Sequence, residues 1–276
     1  MGNSKVWRQL IIYVTLAFML ICALFPIYWM LNTSFKTQSE IYNQVPTFWP
    51  REFTWNSYVT LLTVKNFLIN IKNTLIVAVS VSIASVFVSM LSAYAISRVQ
   101  FTGRRFISNS ILYAYLMPKS VLFIPLYILV TKVNLEDSLW GLVLIYPTFT
   151  IPYATWMLIS YFKSIPVEIE EAAFMDGCSR LRTMFNIVFP LSAPGIAATL
   201  IFTFTLSWSE YMYALIIISK SSIKPITLGL ADMVVGDVFS WGPLMGGSIV
   251  ASIPVIILYL FVSKYMVSGA TMGGVK

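Results

Sequence analysis

Six of the 29 charged residues of this chain lie in residues 164–190, SIPVEIEEAAFMDGCSRLRTMFNIVFP, where acids are followed by arginines. Only 11% of the 276 residues are charged, so the segment is unusual within the chain. Ala172 and Ala173 add a small surface that a partner could approach closely. The chain has no histidine, which removes the commonest metal ligand and the usual general base. These residue types therefore indicate a contact with another molecule rather than catalysis.

The same segment reads as two short helices joined by a turn. Pro166 is tolerated in the first turn of a helix, and Gly177 is a plausible stop. Three acids suit the positive end of this first helix: Glu168, Glu170 and Glu171. Ser179 can cap a second helix that runs to Pro190. A solvated loop between helices is the simpler interpretation, but internal helical order argues against it.

Two further charges, Lys119 and Glu210, stand inside apolar runs. A charge near the centre of a bilayer costs about 2.5–3.5 kcal/mol, so such residues usually face a cavity or each other.

The elements that position these residues are membrane-spanning helices. Hydrophobic residues make up 58% of the chain, and the mean hydropathy is +0.80. A soluble protein of this size could not bury so much apolar surface, so we expect an all-α integral membrane protein. Six apolar segments are long enough to span: approximately 10–31, 74–97, 107–131, 139–161, 195–218 and 246–263.

Lysines and arginines in the short loops indicate orientation. The N-terminus, the turn after the second span and the segment after the fourth span are basic, through Lys5, Arg8, Arg98, Arg104, Arg105, Lys163, Arg180 and Arg182. The positive-inside rule then places both termini and residues 164–190 in the cytoplasm, with the long loop 32–73 outside. The net charge of +7 is explained by orientation signals, so no nucleic acid is expected as a partner. Cys22 and Cys178 lie at different depths, so no disulfide is expected.

One pattern in the charged segment resembles a known signature. Glu171-Ala172-Ala173, three residues, Gly177, nine residues and 187–190 (IVFP) resemble the EAA motif of bacterial ABC importer permeases, with Phe189 in place of the usual leucine. Further stretches over nearly the whole chain resemble the carbohydrate subgroup, which includes the smaller subunit of the maltose permease. Among them are NTSFK (32–36), NTLIVA (73–78), AYAISRVQFTGRR (93–105) and the tail VSGATMGGVK (267–276).

The resemblance implies a single transmembrane domain over 1–276, of the type I importer class, in the bacterial cytoplasmic membrane. It also implies that residues 164–190 carry a coupling helix that docks on an ATPase subunit. The residues that would make this contact are Glu168, Glu171, Ala172, Ala173, Asp176, Gly177 and Arg180. The chain itself would be no enzyme, since it has no G-x-x-x-x-G-K-[ST] phosphate-binding pattern. It would bind no metal or cofactor, and ATP and Mg would be used by the partners.

Further partners also follow from the resemblance. They are a second, different permease subunit, two ATPase subunits, an extracytoplasmic solute-binding protein, a sugar of two or more units, and the lipid bilayer. The residues that could border the sugar path are Tyr115, Lys119, Trp208, Glu210 and Tyr211. Glu210 could instead pair with Lys119 or with the partner subunit and hold helices together.

Other functions stay open at this point. The solute could be a glycerol phosphate compound rather than a sugar. An ion-coupled secondary transporter usually carries more helices, with internal repeats. An intramembrane enzyme would need a nucleophile–base pair or metal ligands, and a purely structural subunit would not need the EAA pattern.

Overall fold

The computed structural model describes the backbone of residues 2–63, 66–235 and 238–272, and the side chains of these ranges except at positions 2–6, 235, 238 and 264–272. Two features of the sequence analysis involve positions outside these ranges. The side chain of Lys5 and residues 273–276 of the glycine-rich tail lie outside the described residues.

Helices dominate the described chain. They are α1 (Gly2–Ser34), α2 (Gln38–Ile41), α3 (Asn56–Thr63), α4 (Phe67–Arg98), α5 (Arg104–Leu116), α6 (Phe123–Lys132), α7 (Leu139–Ile145), α8 (Pro147–Ser164), α9 (Val167–Met175), α10 (Arg180–Thr183), α11 (Phe189–Leu191), α12 (Ala193–Trp208), α13 (Met212–Ile217), α14 (Ile226–Ala231) and α15 (Trp241–Met272). Two-residue strands, β1 (Val234–Val235) and β2 (Val238–Phe239), pair antiparallel. Short 3₁₀ turns lie at Lys119–Leu122 and Ser221–Ile223, and a π-helical stretch lies at Met184–Val188.

Six segments of the described chain are long and apolar enough to cross a membrane. Three are single helices, namely α1 from Trp7, α4, and α15 as far as Ser263. The other three are pairs of helices joined at a bend, at 104–132 (95°), 139–164 (41°) and 180–208 (76°). The expected all-α, six-span architecture is therefore confirmed, with α9 between the fourth and fifth spans and α10 at the start of the fifth.

Prolines explain two of these bends. The segment predicted as one span over 107–131 is interrupted where Met117 and Pro118 adopt extended backbone. A residue before proline is sterically disfavoured in the helical region, so α5 ends there. Pro147 is the first residue of α8, where its missing N–H costs nothing. The helix predicted over 195–218 also differs, because α12 ends at Trp208 and the short α13 follows.

Contacts within the chain group it into two compact units, 1–68 with 229–253 and 69–228 with 254–276. The first unit contains most of the predicted outer loop, as far as residue 68. Its buried Glu40 accepts hydrogen bonds from the Thr47 hydroxyl and from the Arg51 N–H, and Lys36 donates to the Thr47 carbonyl. These bonds order a polar, proline-punctuated segment that has little apolar surface of its own.

The second unit holds two buried apolar clusters. One surrounds Tyr146 and includes residues of α4, α6, α7 and α13. The other surrounds Phe162 and includes residues of α4, α8 and the π-helical stretch. Helix α12 approaches α8 very closely at Gly195, where an added Cβ would lie 2.3 Å from Cγ of Tyr161. The second cluster contains residues that come shortly before and shortly after α9 in the sequence, so it anchors the chain on both sides of that helix.

Candidate functional site

Helix α9 ends in a backbone arrangement that local sequence explains. The N–H of Gly177 donates to the carbonyl of Phe174, and the N–H of Cys178 donates to the carbonyl of Ala173, both at 3.0 Å. This is a Schellman motif, in which the residue after the cap adopts a left-handed conformation. Gly177 has φ +80°, which a residue with a Cβ rarely adopts. The helix therefore stops where the glycine predicts.

The second helix of the segment also begins as the sequence predicts. The hydroxyl of Ser179 accepts a hydrogen bond from the N–H of Arg182 at 3.3 Å, which caps α10. Helical structure then continues through the π-helical stretch and α11 to Leu191. Pro190 lies inside the first turn of α11 rather than terminating the segment.

The outer surface of α9 and its turn combines charge with an apolar tip. Six of the seven residues expected at a partner contact are exposed: Glu168, Glu171, Ala172, Asp176, Gly177 and Arg180. Among them stands Met175, which is 88% exposed and was not singled out from the sequence. An exposed, flexible thioether next to acids is suited to packing into a cleft of another protein.

Ala173 is the exception and corrects one expectation. Ala172 and Ala173 were expected to form a single small surface, but Ala173 is only 5% exposed. Consecutive residues of a helix point about 100° apart, so the two cannot share one face. The side chain of Ala173 instead faces the rest of the chain, and its small size lets α9 pack closely on that side.

A buried ion pair fixes α9 to the rest of the second unit. The carboxylate of Glu170, 2% exposed, forms an ion pair with the guanidinium of Arg98 and accepts a hydrogen bond from the Tyr94 hydroxyl at 3.1 Å. Arg98 also donates to the carbonyls of Phe162 at 2.7 Å and Ile165 at 2.8 Å. We call this group the Arg98 clamp.

The Arg98 clamp joins three helices at one point. Arg98 is the last residue of α4, the carbonyls belong to the end of α8 and the residue after it, and Glu170 lies in the first turn of α9. A buried pair of this kind is held in place because neither charge can separate without losing its partner in a poorly solvated site. The Arg98 clamp therefore holds the start of α9 against the ends of α4 and α8.

The sequence patterns do not predict the Arg98 clamp. Arg98 was assigned to orientation, and Glu170 was one of three acids suited to a helix N-terminus. The two residues are 72 positions apart, and local spacing carries no signal for such a contact.

Glu210 has a structural role within the chain. It is 7% exposed, and it accepts hydrogen bonds from the N–H groups of Tyr213 at 3.0 Å and Ala214 at 3.4 Å and from the hydroxyl of Tyr146. It thereby satisfies free N–H groups at the start of α13. This carboxylate explains why the helix predicted over 195–218 breaks after Trp208.

Lys119 forms no direct ion pair with Glu210, although the two opposite charges interact electrostatically. No ion pair joins these two described residues, and the ammonium of Lys119 lies 4.0 Å from the centroid of the Phe149 ring. The backbone carbonyl of Lys119 accepts a hydrogen bond from the Tyr213 hydroxyl at 2.9 Å. The side chain itself remains largely exposed.

The predicted path residues separate into an exposed pair and a buried group. Tyr115 is exposed like Lys119, and both line a small cavity of about 60 Å³. The Tyr115 ring is stacked on Trp156, with centroids 6.3 Å apart and planes 7° apart. Trp208 is buried, with its ring stacked on Phe204. Tyr211 is half-buried beside the Tyr146 cluster.

Comparison with known proteins places these features in a family. Residues 85–266 match the family described as binding-protein-dependent transport system inner membrane component. The inner membrane ABC transporter permease protein YcjP of Escherichia coli (strain K12) is 36% identical over 99% of both chains. The trehalose/maltose transport system permease protein MalG of Thermococcus litoralis (strain ATCC 51850 / DSM 5473 / JCM 8560 / NS-C) is 32% identical, again over 99% of both chains.

A solved structure shares the fold. It is a chain of a bacterial ABC transporter involved in the import of the acidic polysaccharide alginate, with a TM-score of 0.78 and 23% identity over 96% of this chain and 98% of that one. The family match covers the Arg98 clamp, α9 and Gly177 together. The chain belongs to the binding-protein-dependent transport system inner membrane components, the permease subunits of ABC transporters.

Proposed function

We propose that this chain is a permease subunit of an ATP-driven, binding-protein-dependent sugar importer. It forms half of the translocation path and hydrolyses no ATP itself. The observation that carries the sugar assignment is the full-length similarity to a permease named for trehalose and maltose transport. A short chain that aligns from end to end with such a relative shares its whole architecture.

Helix α9 is the coupling helix in this proposal. Its exposed acids and Met175 dock in a cleft of an ATPase subunit, with Glu171 and Arg180 at the contact and Asp176 and Gly177 at the turn. Ala173 supports the helix from behind. The Arg98 clamp supports this role, because it makes α9 rigid relative to α4 and α8.

The remaining subunits follow from the same proposal. A second, different permease completes the path, and two cytosolic ATPase subunits bind ATP and Mg. An extracytoplasmic binding protein delivers the sugar. Both termini and α9 lie on the cytoplasmic side of the bacterial membrane. In support of that orientation, Arg104, Arg105 and Lys163 line one cavity at the end of the second unit that carries α9.

The exposed pair Tyr115 and Lys119 lines the sugar path. An aromatic face can stack on a pyranose ring, and the Tyr115–Trp156 stack presents such a face. Trp208, Glu210 and Tyr211 act from behind this surface, because their side chains are wholly or partly buried in the chain.

The test is uptake by the complete complex in lipid vesicles, with the binding protein supplied outside and ATP inside. We expect ATP-dependent accumulation of at least one sugar of two or more units from a panel, and none without the binding protein. ATP-independent accumulation driven by an ion gradient would refute the proposal. Replacement of Tyr115 by leucine should lower uptake without changing the amount of assembled complex.

A further inference from the structure

An open cavity of about 560 Å³ lies in the second unit where α4 and α8 end and α5 begins. Its lining contains three cationic residues, Arg104, Arg105 and Lys163, and no carboxylate. None of these three described side chains forms an ion pair. The neighbouring Arg98, by contrast, is neutralised by Glu170. The cavity therefore holds positive charge that the chain leaves uncompensated.

The positive charge in the cavity is held in place by the surrounding structure, which favours the binding of an anion. One guanidinium nitrogen of Arg104 donates to the Ser97 carbonyl at 3.2 Å, which fixes the position of its charge. Helix α5, 13 residues long, begins at Arg104 and has no side-chain cap, so the positive end of its dipole adds to the field. Asn109 supplies a further polar side chain in the lining.

Apolar side chains share this cavity with the cations. Phe101 is 38% exposed and Phe106 is 77% exposed, and both belong to the lining. The helices that meet here are ends of membrane spans, so the cavity lies at the boundary between hydrocarbon and water. A ligand that fits both features carries a phosphate beside a hydrocarbon chain. A free phosphate ion would make no use of the two phenylalanines.

We propose that this cavity binds the headgroup phosphate of an anionic phospholipid, with Arg104, Arg105 and Lys163 on the phosphate and Phe101 and Phe106 beside the upper part of the acyl chain. Two of the helices that frame the cavity, α4 and α8, are joined by the Arg98 clamp, and the third, α5, lies next to it. A bound lipid would hold the end of α5 against α4 and α8.

The test measures binding of short-chain phosphatidylglycerol to the full chain in detergent, purified with its partner subunits. The test variant is R104Q/R105Q/K163Q. Each surface cation contributes about a fivefold change in affinity for an anionic lipid, so we expect a loss on the order of 100-fold. The matched control, K72Q/K132Q/K220Q, removes three exposed lysines from the opposite end of the second unit and should bind like the unaltered chain.

The remaining arms separate the sources of the phosphate. Short-chain phosphatidylcholine, which has no net charge, and inorganic phosphate at the same concentration should both bind much more weakly than phosphatidylglycerol. Inorganic phosphate binding as tightly as the lipid, or equal loss in the test and control variants, would overturn the proposal. If the triple variant does not fold, K163Q at the exposed end of α8 decides, with about a fivefold loss expected and no loss contradicting it.

Discussion

Arg98 is the residue whose removal should affect the fold most. In an Arg98→Gln variant the buried carboxylate of Glu170 loses its cation, and the carbonyls of Phe162 and Ile165 lose their donors. Breaking a buried pair by removing one partner costs about 3–5 kcal/mol. We expect a decrease of this size in the free energy of unfolding, measured in mixed detergent micelles.

The control for this prediction adds Glu170→Gln to the Arg98→Gln variant. The double variant R98Q/E170Q should be more stable than R98Q alone, because no uncompensated charge remains buried. Additive losses in the double variant would show that the two side chains do not interact.

Asp137 should make stability depend on pH. Its carboxylate accepts hydrogen bonds from the N–H groups of Ser219 at 2.6 Å and Lys220 at 3.0 Å, and these hold its pKa below the ordinary value of 3.8. The folded protein therefore binds this proton less tightly than the unfolded chain. The resulting stabilisation is complete above the ordinary pKa and is lost as the pH falls through the lower, folded value.

The measurement is the apparent melting temperature between about pH 5 and pH 3. Asp137 has φ +50°, and asparagine tolerates this region, as Asn134 does at φ +54°. The Asp137→Asn variant therefore keeps the local backbone but removes the titrating group. We expect a shallower acid decline in this variant than in the unaltered chain. Glu136→Gln, which removes the adjacent exposed charge, should decline like the unaltered chain.

At the scale of elements, α9 depends on its glycine stop. Gly177→Ala meets no atom within 4 Å, so the whole effect comes from placing a Cβ at φ +80°. This costs about 1–2 kcal/mol. Asn at the same position should cost less, because asparagine visits this region more readily. Equal stability of the glycine and alanine forms, measured by unfolding, would contradict the Schellman ending.

The contact between α8 and α12 depends on a second glycine for a different reason. A methyl group at Gly195 would lie 2.3 Å from Cγ of Tyr161, so the helices must separate or the ring must move. Such overpacking costs about 1–3 kcal/mol. Gly195→Ala should lower the apparent melting temperature, and in a Tyr161→Ala background the same change should have little effect. A full penalty in that background would mean that another contact is responsible.

Local patterns in the sequence encode several elements of this fold. Apolar runs predicted six spans, Gly177 predicted the end of α9, and Ser179 predicted the start of α10, because each signal lies within a few residues of its effect. The break at Pro118 was readable in principle from the restriction on the preceding residue. Contacts between distant segments were not readable. The Arg98 clamp and the capping of α13 by Glu210 each depend on how helices pack, and so does the burial of Ala173.

At the scale of the whole molecule, we propose that α9 and the Arg98 clamp transmit motion from an ATPase into the membrane helices. The chain supplies a rigid, exposed helix and a path for displacement into α4 and α8. The most direct measurement is the number of sugar molecules imported per ATP hydrolysed by the complete complex in lipid vesicles.

The comparison is between the unaltered complex and one carrying R98Q/E170Q, which loosens α9 while leaving its exposed docking surface unchanged. We predict that the variant still assembles and hydrolyses ATP, and that sugar imported per ATP falls by about tenfold or more, which is within the range of coupling energies between sites. An unchanged ratio in a fully assembled variant complex would contradict the account.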